Sequence, residues 1–175
     1  MYIRLLCCLL IALLPIDAAR AGWFNRTWSE TQREIESEFP AARDITASAL
    51  AEAINADRAQ APLLLDIRAP AEYRVSHLSG AVLASDEKAA LAALRGHDKH
   101  ERIVVYCSVG WRSSAVAESL QRAGYRDVLN LKGGIFTWAN EGRPLYRGDR
   151  RVFTVHAFNR DWGRLLAPRY RSQVH

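Results

Sequence analysis

The stretch IVVYCSVGWRSSAVAESL, residues 103–120, runs an apolar segment into Cys107 and then through Gly110 and Arg112 into helical periodicity. A cysteine there sits where backbone N–H groups of a tight loop converge as the chain enters a helix. Those donors, the helix dipole and the nearby Arg112 favour an anion. The thiolate is the nucleophilic form of cysteine, so the stretch suits attack by the Cys107 sulfur, and the same cradle suits a small anionic substrate. Gly110 supplies backbone geometry that a residue with a Cβ resists. The plainer reading is a buried, inert thiol.

The other cysteines, Cys7 and Cys8, lie within the first 21 residues. There MYIR carries a positive charge, LLCCLLIALLPI is apolar, and AARA offers small residues at Ala19 and Ala21. That order is expected of a secretory signal peptide cut after Ala21. The apolar run is shorter than the roughly 20 residues that span a bilayer, so a retained anchor is the weaker reading. Cys7 and Cys8 stand too early in the run for a lipoprotein signal. Cleavage would leave Cys107 as the only cysteine, with no internal disulfide partner, in a periplasmic or secreted protein.

The elements that must position Cys107 follow from the flanking pattern. GWFNRTWSETQREIESEF carries a Ser29-x-x-Gln32 capping pattern, with Ile35 and Phe39 four residues apart, and predicts a short N-terminal helix ended by Pro40. DITASALAEAINAD spaces Ile45, Leu50 and Ile54 helically behind Thr46 as a cap. PLLLDIR reads as a strand buried on both faces, APAEYRVS as a short helix and GAVLAS as a strand. DEKAALAALRG reads as a helix with Leu91 and Leu94 inward, and RIVVYC as a strand. SSAVAESLQRAG predicts a helix opening at Ser113 and stopped by Gly124, followed by the strand YRDVLNL and a last short helix in GGIFTWANEG.

Strands alternating with helices predict an α/β fold, an open parallel sheet flanked by helices. Ligands bind outside the carboxyl ends of strands in such sheets, and Cys107 falls at one of those ends. The expected organisation is a signal peptide over 1–21, an N-terminal helical extension over 22–43, an α/β domain over 44–146 and a basic, aromatic C-terminal extension over 147–175. With 49% hydrophobic and 25% charged residues, the 175-residue chain has the composition of a soluble globular protein.

Residues 143–175 hold eight arginines against Asp149 and Asp161, so the basicity belongs to the tail. One reading packs the tail back on the domain through Phe153, Phe158, Trp162 and Leu165. Another has it attract an acidic protein partner or an anionic membrane surface. Nucleic acid fits the charge but not an export signal.

Three segments resemble a known family. CSVGWRS is similar to the active-site loop C-x-x-G-x-R-S of single-domain rhodaneses, the thiosulfate sulfurtransferases. LLLDIRAPAEYRVSHLSGAV resembles the family's D-x-R-x-x-x-E-[YF]-x-x-x-H-[IL]-x-G-A segment, with Ser76 where the family often has glycine. AGYRDVLNLKGGIFTWANEGRPL resembles its closing G-[YF]-x-x-V-x-x-L-x-G-G-x-x-x-W segment. The resemblance spans residues 44–146 and implies a rhodanese-like fold and a double displacement. Cys107 would take a sulfane sulfur from thiosulfate or a similar small anionic donor as a persulfide, and cyanide or a thiol would accept it. The N–H groups of Ser108, Val109, Gly110, Trp111 and Arg112 would hold the persulfide, Arg112 would orient the donor and Trp111 would shape the entrance. No metal or organic cofactor is implied.

Two rivals remain beside this reading. One is a non-catalytic persulfide carrier or redox-sensing module. The other is a cysteine phosphatase, whose C-x5-R loop places arginine six positions after cysteine; here Arg112 follows Cys107 by five. Asp66, Arg68, Glu72 and His77 are expected to be structural, with an Arg68–Glu72 ion pair and His77 satisfying loop backbone. His97, His100, His156 and His175 lack metal-ligand spacing. Gly133-Gly134 predicts a tight turn before the helix carrying Trp138.

Overall fold

The computed structural model describes residues 27–56 and 60–172. The expected signal peptide, residues 1–21, lies outside them. Helix α1 (Trp28–Glu38) precedes the short strand β1 (Asp44–Ile45), helix α2 (Ala47–Ala56) and strand β2 (Leu63–Asp66). Helix α3 (Pro70–Val75), strand β3 (Val82–Leu83) and helix α4 (Glu87–Ala93) lead to strand β4 (Arg102–Tyr106). Helix α5 (Trp111–Arg122), strand β5 (Asp127–Leu131) and helix α6 (Gly134–Asn140) complete the alternation.

The strands pair in parallel, as the alternating pattern predicts, and β1 makes them five in the order β1-β5-β4-β2-β3. Strand β4 lies in the middle, and its RIVVY sequence reads apolar on both faces because both are covered. Val104 and Tyr106 join a core with Leu50 of α2 and Phe136 of α6. Ile103 and Val105 join a second core with Leu94, Ala117 and Leu120, beneath α4 and α5.

Three local expectations are corrected. The N-terminal helix is capped by Thr27 and Glu30, not by Ser29 and Gln32: the Thr27 N–H donates to Glu30 Oε2 at 2.8 Å and the Glu30 N–H to Thr27 Oγ1 at 3.3 Å. Thr-x-x-Glu satisfies the same rule two residues earlier, where the helix begins. Ile45 belongs to edge strand β1, paired with Leu131, instead of to a helix; a two-residue strand has too little period to read. Helix α5 opens at Trp111 instead of Ser113, which puts Trp111 and Arg112 in its first turn.

The C-terminal segment has more structure than its lack of period suggests. Strands β6 (Leu145–Arg147) and β7 (Arg150–Val152) form an antiparallel hairpin, followed by helix α7 (Arg160–Gly163) and a 3-10 turn over Pro168–Tyr170. Val155, Leu165 and Leu166 are buried in the same core as Leu50 and Phe136, and Trp162 packs against it. Phe153 and Phe158 depart from the expected packing, at 65% and 42% exposed, and Phe158 lies over Arg112 instead of in the core.

Candidate active site

Cys107 follows the last residue of β4 and is only 1% exposed. The Gly110 N–H donates to its sulfur at 3.2 Å. Gly110 reaches this position with φ of 106°, in the left-handed region. A Cβ there would meet Asn130 Nδ2 only at contact distance, 3.4 Å, so it is the backbone conformation that calls for glycine. The loop turns straight into α5, so the unpaired amides of that helix's first turn lie next to the thiol in sequence.

The loop's peptide planes are fixed from three sides. The Ile135 N–H donates to Cys107 O at 2.9 Å and the Phe136 N–H to Ser108 O at 3.1 Å. The α1 side chain of Gln32 donates to Val109 O at 3.3 Å, and the Ser114 N–H donates to Gly110 O at 2.9 Å. Ser113 Oγ lies 2.7 Å from Asn130 Oδ1, and Asn130 Nδ2 donates to Asp44 Oδ1 at 2.8 Å. The Gly133-Gly134 turn therefore does more than start a helix. Gly134, with φ of 56°, lets the opening of α6 approach the Cys107–Ser108 backbone; a Cβ there would collide with Cys107 O and lie 2.7 Å from Ser108 O.

Arg112 does not stand as a free cation. Its Nη1 and Nη2 donate to Glu72 Oε2 and Oε1, each at 3.0 Å, and Nη2 also donates to Ser108 Oγ at 3.1 Å. Ser108 Oγ in turn donates to Glu72 Oε1 at 3.0 Å, and the Ala69 N–H donates to Glu72 Oε2 at 2.9 Å. Burial works against the charged guanidinium, yet Glu72 and the Cys107 sulfur outweigh it and hold Arg112 above its ordinary pKa. Burial also favours a neutral Glu72, but the Arg112 bond and the Ala69 N–H hold its carboxyl below the ordinary 4.5.

This corrects the expected Arg68–Glu72 pair. Arg68 instead donates to Asp66 from Nε at 2.9 Å and Nη2 at 2.6 Å, and to Ser76 O at 2.6 Å, inside the fold. Glu72 is thereby left for Arg112, across 40 residues of sequence. His77 satisfies backbone as expected: its ring lies 3.0 Å from Leu78 O and accepts from the Gly148 N–H at 3.2 Å.

Cys107, Ser108, Val109, Trp111 and Arg112 line one cavity of about 170 Å³, whereas Gly110 is not in its lining and contributes its N–H to the Cys107 sulfur. Trp111 stands edge-to-face against Phe39 at 5.6 Å. Phe158 and Trp162 complete the cavity wall from the C-terminal segment. Sequence reasoning missed Glu72, Gln32, Phe158 and Trp162 as site residues. Only Glu72 had a local signal, its place in the D-x-R-x-x-x-E-[YF] pattern.

A central parallel strand that delivers a buried cysteine to a short loop at a helix N-terminus defines a thiol-centred α/β domain. The comparisons narrow that class. The rhodanese-like domain model matches residues 46–141, so the chain belongs to the rhodanese-like domain family. A sulfurtransferase of Allochromatium vinosum is 38% identical over 85 residues, covering 47% of this chain and 77% of that protein. The probable adenylyltransferase/sulfurtransferase MoeZ of Mycobacterium tuberculosis is 33% identical over 84 residues, which cover 46% of this chain and only 21% of MoeZ. Among solved structures, the thiosulfate sulfurtransferase of Pseudomonas aeruginosa superimposes with a TM-score of 0.59 at 25% identity, over 69% of this chain and 23% of that one.

Proposed function

We propose that this chain is a sulfurtransferase that carries sulfane sulfur as a Cys107 persulfide. The observation that supports this most is the buried Cys107 sulfur at a cavity, with the Gly110 N–H on it and Arg112 beside it. The Cys107 thiolate attacks the outer sulfur of a sulfane donor such as thiosulfate. A new S–S bond forms, the donor's own S–S bond breaks, and sulfite leaves with the electron pair. The negative charge on the persulfide faces preorganised N–H dipoles. A thiol or cyanide then attacks the outer sulfur and returns Cys107 as thiolate. The signal-like residues 1–21 support an exported protein.

A second reading, a persulfide carrier serving a partner, is favoured by the C-terminal segment over the site, which narrows access. Intact mass after incubation with thiosulfate, followed by thiocyanate release on adding cyanide, tests both. One sulfur gained by the protein and none by Cys107→Ser is expected. Gain without release to small acceptors selects the carrier. Equal gain by Cys107→Ser, or aryl phosphate hydrolysis without sulfur gain, sinks the proposal.

A further inference from the structure

Among the described residues, Phe158 is the one non-glycine residue with a left-handed backbone, at φ of 64°. That conformation is unfavourable for a bulky side chain and persists where its surroundings enforce it. Here the Phe158 N–H donates to His156 Nδ1 at 3.0 Å and the Asn159 N–H to Ala157 O at 2.8 Å. Asn159 Oδ1 accepts from the Trp162 N–H at 3.0 Å and starts α7. The result is an aromatic ring held 4.9 Å from the Arg112 guanidinium carbon, with Trp162 on the same cavity.

The consequence concerns the donor. Arg112 has both Nη atoms on Glu72 and its face under Phe158, so the cation that would greet a dianion is already paired with a carboxylate. Thiosulfate entering this cavity sheds the hydration of two charges, and the arginine it meets there is shared with Glu72. Val109, Trp111, Phe158 and Trp162 instead offer apolar walls within about 170 Å³, space for a ring or a short alkyl stem. Burial of such a stem is favourable.

Resting on the sulfurtransferase reading, we infer that the Phe158–Trp162 wall selects sulfane donors whose leaving group bears an uncharged, apolar stem over thiosulfate. For a thiosulfonate, R–SO2–S⁻, the Cys107 thiolate attacks the terminal sulfur and the bond from that sulfur to the sulfonyl sulfur breaks. The sulfinate R–SO2⁻ leaves with the electron pair and the persulfide anion remains on Cys107, two negative charges on each side.

Second-order rates of sulfur loading, read by intact mass with benzenethiosulfonate and with thiosulfate, test the inference. The expected preference is about tenfold or more for the aryl donor. Phe158→Gly relieves the left-handed backbone while removing the wall, so it folds and should bring the ratio towards parity; Trp162→Ala should lower it too. Phe158→Gly with an unaltered thermal midpoint and an unchanged ratio, or a wild-type preference for thiosulfate, overturns the selective wall and leaves sulfur transfer standing. No loading from either donor overturns sulfur transfer itself and the wall with it.

Discussion

Glu72 shows how one carboxylate organises the chemistry without touching sulfur. It accepts both Nη groups of Arg112, the Ser108 hydroxyl and the Ala69 N–H, and is itself buried. Glu72→Gln keeps the shape but replaces acceptors with a donor facing Arg112. Such a mispaired buried group costs about 1–3 kcal/mol, read as a lower denaturant midpoint, and sulfur loading should slow at least about tenfold. The pH dependence follows from the sign of the shift. The Glu72 carboxyl ionises below its ordinary 4.5 in the folded protein, so its contribution is present above pH 4.5 and is lost as pH falls through the lower folded value. Acid titration of stability should show that loss in the wild type and less of it in Glu72→Gln.

At the scale of elements, the loop is held by what packs behind it. Strand β4 sets where Cys107 emerges, α5 supplies the helix N-terminus, and α6 clamps the Cys107 and Ser108 carbonyls. That last contact exists because Gly134 has no side chain. Gly134→Ala forces the two backbones apart and adds a left-handed penalty. The expected cost is about 2–3 kcal/mol, a fall in Tm of roughly 5–10 °C. Thermal melts with and without a sulfane donor check it, and an unshifted Tm would contradict the close approach. Helix α1 belongs to the same unit: its Gln32, and Phe39 just past its end, reach Val109 and Trp111 of the loop.

Across the whole molecule, the C-terminal segment is part of the fold. The Asn140 side chain donates to Leu165 O and accepts from the Ala167 N–H, each at 2.8 Å, which ties the tail to α6. Three of its arginines also contact the chain while most of their number stay exposed: Arg147 donates to Val75 O at 3.2 Å, Arg171 to Leu166 O at 2.8 Å, and Arg143 lies 5.4 Å from the Trp138 ring. The packed reading of the tail rests on Val155, Leu165 and Leu166, which lie in the domain core with Trp162 against it. Asn140→Ala should loosen the segment by about 1–3 kcal/mol. Amide exchange over residues 165–172 should accelerate while β4 amides stay protected; uniform acceleration would mean that the segment and the sheet open together.

The sheet, its helices and Cys107 at a strand's carboxyl end were legible in the chain because they rest on local information. Apolar runs, helical spacing and a short Cys–Gly–Arg loop carry their meaning within a few residues. The short strand β1 escaped that reading, since two residues show no period and its pairing with β5 is a distant contact. The partner of Arg112 and the wall over the cavity were likewise invisible. Glu72 could face Arg68 or Arg112 by sequence alone, and folding settles the choice because Asp66 already holds Arg68 inside the domain. Phe158 reaches the Cys107 cavity only because Val155, Leu165 and Leu166 are buried in the domain core and turn the tail back across the sheet's carboxyl edge. A loop's chemistry is written in adjacent residues, whereas access to it depends on contacts between segments far apart in the chain.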